Sequence, residues 1–285
     1  MYILLAVLGT GLLLSCTRDK PAVRTEPVEI LFAPVIEPNT KLDYSENKNY
    51  PQDVAFALWA FDSDGQPVLE KEEMQLRSDG LWEVPGSFVW DKLDEPLVFF
   101  AASPCDIVTY DSTKGIVALS VGDCSDLLHA RASANFQKGS TRLVVPLSFS
   151  HALASLRFVV NSALPESARI QLRQLTLEGL SRKGDFCSLP QPLWHPSAEK
   201  ETFCFSDKVF ELSWEALELE PAQYLVPQKC RCKAALLCDM AYNGLQLKNQ
   251  LLEAEFTLSL NAGKTSTYRI TISPNLELII EKDGI

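Results

Sequence analysis

A chain of 285 residues, 46% hydrophobic and 22% charged, has the apolar content for one large core or two ordinary ones and is too balanced in composition to stay disordered. Its net charge of −11 lies entirely beyond residue 15. Such an acidic surface repels phosphate backbones, and no basic stripe with interleaved aromatics offsets it, which excludes nucleic acid as a partner.

Ile3 to Leu14 form an apolar run broken only by Gly9, Thr10 and Gly11. This run is too short to span a bilayer and has the length of a signal-peptide core, although no Lys or Arg precedes it. It ends in Leu13-Leu14-Ser15-Cys16, which resembles the bacterial lipobox: a small residue before the cut and a thiol free to take a diacylglyceryl group. Lipidation at Cys16 is the expectation, with residues 1–15 removed and no cofactor other than the covalent lipid. At about 0.8 kcal/mol per buried methylene, two or three acyl chains make a stable anchor. No later stretch is apolar for long enough to cross a membrane as a helix. Residues 16–26, polar with prolines and charges, read as a tether from lipid to domain.

Beyond the tether the period-two signal dominates. Val28 to Val35 is the first strong strand. Val54 to Phe61, Leu97 to Ala102 and Leu143 to Leu147 are apolar on both faces and read as central strands. Asp64-Gly65, Asp79-Gly80, Lys183-Gly184 and Ala262-Gly263 read as turns. Ser125 to Ala130 alone reads as a short helix. A polar stretch from Ala132 to Gly139 is the expected boundary between domains spanning 27–136 and 137–285.

In the second half, Ile170-x-Leu172 and Leu175-x-Leu177 slip out of phase near Gln174, which a bulge there reconciles. Phe210, Leu212 and Trp214 alternate with polar neighbours, as do Phe256, Leu258 and Leu260, and Tyr268, Ile270 and Ile272. Many short strands between turns indicate an all-β chain of sandwiches built from antiparallel sheets.

The chemistry-bearing residues are few. Cys16 apart, seven cysteines remain (Cys105, Cys124, Cys187, Cys204, Cys230, Cys232 and Cys238), an odd number, so at least one stays unpaired. Cys187 with Cys204 is the first candidate disulfide, since it would close the Pro-rich loop Leu189-Pro190-Gln191-Pro192-Leu193-Trp194. In that loop Trp194 and His195 are either a rigid binding tip or a segment folded back onto the sandwich. Cys230-x-Cys232 shares one strand face, but Lys229, Arg231 and Lys233 alternate with it and no histidine is near, so thiols or a disulfide are preferred to zinc. Asp62-x-Asp64 with Glu73 has the spacing of a calcium loop, yet Gln66 and Pro67 break the pattern and a β-turn fits better. His151 beside Ser148 and Ser150 lacks the glycine pattern of a nucleophile elbow, and His129 has no evident partner. Neither a catalytic nor a metal-binding set is expected, and the chain does not read as an enzyme.

Five stretches in order resemble the fimbrillin family, which supplies stalk, tip and anchor subunits of lipoprotein-derived pili in certain Gram-negative bacteria. They are Phe88-Val89-Trp90 with Leu97 to Pro104, then Asp126-Leu127-Leu128-His129-Ala130, then Leu147 to Phe158, then Tyr224-Leu225-Val226-Pro227-Gln228, and finally Ala262-Gly263-Lys264 leading into Tyr268 to Ile272. The resemblance implies two tandem transthyretin-like β-sandwiches with Greek-key connections. It also implies subunit partners engaged by strand exchange, in which a donated strand satisfies an open sheet edge. Two departures stand out. Little chain follows the strand expected at Leu276 to Glu281 to serve as a donor, and Arg24, the candidate cleavage site, precedes the first strand. Both favour a tip, an anchor or a relative that binds a host or bacterial surface ligand without polymerising. The expected location is the outer membrane, lipid-anchored. Exposure on the cell surface stays open, because Thr17-Arg18-Asp19-Lys20 departs from the acidic export pattern.

Overall fold

The computed structural model describes residues 27–36, 49–91, 95–104, 109–113, 116–121, 126–136, 140–187, 192–242 and 244–283, with the strands between 109 and 121 described by their backbone. Every regular element among these residues is a strand. The first half contributes β1 (Val28–Ile36), β2 (Ala57–Phe61), β3 (Pro67–Glu73), β4 (Gln75–Leu76), β5 (Trp82–Glu83), β6 (Val89–Trp90), β7 (Leu97–Ser103), β8 (Thr109–Thr113), β9 (Ile116–Val121), β10 (Leu128–Ala134) and β11 (Arg142–His151). The second contributes β12 (Ala154–Ser162), β13 (Arg169–Leu180), β14 (Gly184–Cys187), β15 (Leu193–Pro196), β16 (Glu201–Ser206) and β17 (Phe210–Leu212). It ends with β18 (Leu217–Leu225), β19 (Lys229–Tyr242), β20 (Leu245–Ser259), β21 (Thr265–Ile272) and β22 (Leu278–Lys282).

A nine-stranded sheet runs β3-β2-β7-β10-β11-β1-β5-β4, with β6 also paired to β1. It must curl, because the rings of Phe56, beside β2, and Trp82, on β5, meet at 5.1 Å although their strands lie far apart in the order. The curl encloses one apolar cluster that includes Ile30, Phe32, Trp82, Phe99 and Phe149. The second half is a sandwich of a four-stranded sheet, β18-β12-β21-β22, and a five-stranded one, β16-β13-β19-β20 with β17 on β13. Alternate residues of both sheets fill its core, Leu156, Phe158 and Val160 from one side and Leu175, Leu177 and Leu236 from the other.

The bulge expected near Gln174 is present as a register shift between Leu172 and Gln174 against β19, and Ile170, Leu172, Leu175 and Leu177 are all buried. Other expectations need correction. Two of the four sheets are mixed rather than antiparallel, since β1 runs parallel to β11 and β12 parallel to β21, whereas every pairing in the other two is antiparallel. The sheet pairing changes hands between His151 and Ala154 and not at residue 137, because β11 completes the first sheet by bonding to β1 and β10. The helix expected at Ser125 to Ala130 gives way to β10, whose alternation suits pairing with β7. The expected Lys183-Gly184 turn is the start of β14, and glycine is needed there for close approach. A Cβ at Gly184 would meet the carbonyl oxygen of His195 and Cγ1 of Val226 at 3.0 Å.

A second four-stranded sheet, β15-β14-β9-β8, joins the halves. Its β14–β15 hairpin belongs to the second half in sequence but pairs with β9 of the first. Phe186 on β14 is buried in a cluster with Trp59, Phe61, Phe100, Leu127, Leu153 and Val226. This hairpin covers the outer face of β2 and β7, which explains why all five residues of β2 are buried.

His129 on β10 lies under the same hairpin, its ring 4.8 Å from that of Phe186. Burial pushes its pKa down to about 4. The folded state therefore holds the neutral ring while the unfolded chain titrates near the ordinary value, so the full stability is present above about pH 6.5 and is lost as pH falls toward 4. Acidification from pH 7 to pH 5 should cost about 1–2 kcal/mol through this group. Urea midpoints at the two pH values check this, because a His129→Phe variant should lose that part of the pH dependence.

Candidate functional site

At the far end of the second half, the β19–β20 hairpin overhangs the sandwich. A bulge shapes the overhang: the register shifts between Cys238 and Met240, Asn249 adopts φ 54°, and its N–H donates to Asp239 Oδ1 at 2.9 Å. The extra residue changes the parity of β20, so that Leu245 and Leu247 (opposite Tyr242 and Met240) and then Leu252 (opposite Leu236) all point to the core side. Tyr242 and Leu245 lie beyond the last rung with β13, at Arg169↔Ala241. The result is an apolar cup of about 220 Å³ walled by Leu164, Ile170, Tyr242, Leu245, Leu247 and Leu276, with Arg169 at its rim. Leu245 is 67% exposed. Leu276 sits in a left-handed conformation, φ 62°, within a turn closed by the Ser273 N–H donating to the Glu277 carbonyl at 2.9 Å. Non-glycine residues tolerate that conformation at a cost, and such strain clusters where a side chain must be presented.

A second hollow of about 150 Å³ shares Leu164 and Ala168 with the cup and is lined by Ser162, Glu166, Ser213 and Trp214. Trp214, expected on a core face, instead lies past the end of β17 and is 65% exposed. Leucines and an indole held out of the core at one pole form a surface for apolar or stacking contact. Among the described residues no three His, Cys, Asp or Glu side chains converge on a possible metal position. Sequence reasoning passed over this pole; the available signal was Asn243-Gly244 followed by Leu245-x-Leu247, a hairpin turn leading into apolar alternation.

The residues singled out from the sequence are scattered. Cys16, Arg24, Cys105 and Cys124 lie outside the described residues. Cys187 and Cys204 are both free thiols, a correction to the expected disulfide. Cys187 closes β14 in the joining sheet, whereas Cys204 lies exposed on β16, accepting from Gln174 Nε2 at 3.5 Å. Trp194 is not a binding tip: its ring packs 5.1 Å from Phe186 and its Nε1–H donates to the Ala152 carbonyl at 2.7 Å. His195, one residue on, alternates to the exposed side of β15. Asp62 Oδ1 accepts from the N–H groups of Asp64 and Gln66 at 3.0 and 2.8 Å, the hydrogen bonding of a turn between β2 and β3.

His151 is enclosed, with Nδ1 2.9 Å from an Asp126 carboxylate oxygen; Asp126 also accepts the Leu127 N–H at 2.8 Å. The pair pins the end of β11 at the junction. Gln228 has a similar role. Its Oε1 accepts the Ser181 N–H at 3.0 Å, and its Nε2 donates to the carbonyls of Ser181 at 2.7 Å and Val226 at 3.1 Å. Gln228→Leu would bury Ser181's backbone groups without partners and should cost about 2–4 kcal/mol. A Gln228→Glu variant, which can keep the acceptor but not the donor, should fall between the two in a urea unfolding series.

Cys230 and Cys232 bring their sulfurs to 3.3 Å. The hydrogen bond from Cys232, against the effect of burial and with help from Lys200, holds the Cys230 thiol down at about 7, and the same bond together with burial pushes Cys232 up. Burial holds Cys238 up at about 12.

A family profile described as fimbrillin-like matches residues 48–283. No curated protein matches the chain. Among solved structures, a fimbrial protein from Bacteroides vulgatus superposes with a TM-score of 0.58 at 16% identity, over 90% of this chain and 98% of its own. A candidate cell adhesion protein from Bacteroides uniformis gives 0.51 at 12%, over 91% and 97%. The fimbrial anchor protein Mfa2 from Porphyromonas gingivalis gives 0.49 at 13%, over 91% and 98%. At these identities the likeness is one of fold.

Proposed function

The chain belongs to the fimbrillin-like family, and from that premise we propose that it is a non-enzymatic lipoprotein of the cell envelope, held in the outer membrane through Cys16 and acting in adhesion as a tip, anchor or accessory subunit of a pilus. In this reading its two halves are transthyretin-like sandwiches, and it joins neighbouring subunits by β-strand complementation.

The observation that carries the proposal is the seating of β1. A stalk subunit that accepts a neighbour's strand needs a vacant slot, and here β1 occupies the position beside β11 over eight residue pairs, Glu29↔Arg142 to Ile36↔Phe149. Arg24 precedes β1, so cleavage there would leave the slot filled. This favours a subunit that caps or roots a fibre over one that extends it. For complementation elsewhere, β20 is an edge strand of fifteen residues, with β19 its one strand neighbour among the described residues.

The apolar cup and Trp214 support a second reading, a stand-alone surface lipoprotein that binds an apolar or sugar-bearing ligand. Protease treatment of intact cells, with the shed fimbrial fraction blotted beside the membrane fraction, separates the two. A protease-accessible chain that travels with shed fibres supports the tip or accessory role. Accessibility with retention in the membrane supports an anchor or the stand-alone binder. Full protection would place the chain facing the periplasm and end the adhesion reading.

A further inference from the structure

The Cys230–Cys232 pair lies at the opposite end of the second half from the cup, beside the junction, and no part of the adhesion reading uses it. Residues two apart on a strand share a face, and here both thiols lean together to 3.3 Å, with Cys232 buried and Cys230 half-buried at the entrance. The local backbone is less constrained than the rest of β19. The ladder with β13 ends at Glu178↔Lys233, so residues 229–232 pair only with β20. Gly179 passes so close that an added Cβ would stand 2.9 Å from the Arg231 carbonyl oxygen. Gln228 Oε1 lies 3.5 Å from Cys230 Sγ, and Lys200 Nζ donates to Ser181 Oγ at 2.8 Å within the same polar cluster.

Two thiols so placed can close a disulfide or chelate an ion. A strand rise of about 3.3 Å per residue sets same-face Cβ atoms roughly 6.6 Å apart, whereas a disulfide requires about 3.5–4.5 Å. Oxidation would have to compress the strand by about 2 Å. An ion inserted between the sulfurs needs no compression. Thiolates select soft cations, copper(I) and zinc foremost. Zinc wants four ligands, and no further His, Cys, Asp or Glu converges here among the described residues. Charge points the same way: two thiolates, one monovalent cation and the Lys200 ammonium sum to zero, while a divalent ion would leave a net positive charge in a half-buried place, which is unfavourable. Cys238, six residues along the same strand face and so roughly 20 Å away, takes no part.

We propose that Cys230 and Cys232 form a chelating dithiol site for copper(I). Both thiol protons leave to solvent as two copper–sulfur bonds form, and the metal keeps its oxidation state.

The test is an anaerobic titration of the full, reduced chain in detergent with copper(I), in competition with a coloured copper(I) chelator. One equivalent should be taken up, with the affinity falling at least a hundredfold in Cys230→Ser and in Cys232→Ser but unchanged in Cys204→Ser. Uptake that is absent, or indifferent to the first two variants, overturns the proposal, as does equal affinity for zinc. Should those variants misfold by circular dichroism, the wild-type chain still decides the matter. Copper(I) should slow alkylation of Cys230 at least tenfold while exposed Cys204 is labelled as before, and equal labelling of Cys230 with and without copper refutes the site.

Discussion

A chain lacking residues 1–36 should fail to form its N-terminal sheet, although β1 is only nine residues of it. Three strands hydrogen-bond to β1: β11 from Glu29 to Ile36, β5 through Phe32↔Trp82, and β6 through Val28↔Trp90 and Glu29↔Val89. Short β5 and β6 have almost no other pairing, so they lose their place when β1 goes. Ile30, Phe32 and Ile36 would leave the core, and Trp82, Trp90, Phe99 and Phe149 would meet water. The point substitution Phe32→Ala already removes a fully buried ring that stands edge-on to Phe99 at 5.1 Å and should cost about 3–5 kcal/mol, a large share of the about 5–15 kcal/mol that holds a typical domain. Near-ultraviolet circular dichroism and thermolysin digestion would follow the loss. A synthetic peptide of residues 27–36 added in trans should restore protection, because the slot it fills is defined by β11. A truncated chain that melts as cooperatively as the whole one would refute the role of β1.

The second large effect is expected at the junction. Phe186→Ala should destabilise the chain by about 3–5 kcal/mol and split one thermal transition into two. Phe186 comes from the second half, yet its ring meets Phe100 at 6.4 Å and His129 at 4.8 Å, and β14 bonds to β9 across the divide. Removing the ring opens a cavity where the halves meet while leaving each half's own core intact. Differential scanning calorimetry reads the outcome directly. A single transition shifted downward as a whole would mean that the backbone pairing alone couples the halves.

Local signals carried far in this chain and long-range ones did not. The alternation of Tyr268, Ile270 and Ile272 marked buried positions, and the slip at Gln174 marked a bulge, because each pattern records the immediate environment of its own strand. Residues apolar on both faces of β2 announced double burial, but nothing in them said that a hairpin more than a hundred residues later would supply the second cover. The parallel pairings of β1 with β11 and of β12 with β21 were hidden for the same reason: alternation reports a face, not a partner or its direction. Trp214 misled because the strand it continues in pattern ends at Leu212. The cup escaped notice because a side chain pointing coreward past the end of its opposing sheet has the same local pattern as one that is buried.

The parallel seam of β1 and β11 also has a mechanical meaning. A pull applied at Val28 and carried out of the first half at His151 draws adjacent parallel strands in opposite directions along their length. All the hydrogen bonds between Glu29↔Arg142 and Ile36↔Phe149 then bear the load together, in shear, where an antiparallel pair pulled from one end would part rung by rung. The order in which the strands are laid down thus makes the half nearer the N-terminus a stiff link, suited to tension between whatever holds residue 27 and whatever grips the far pole.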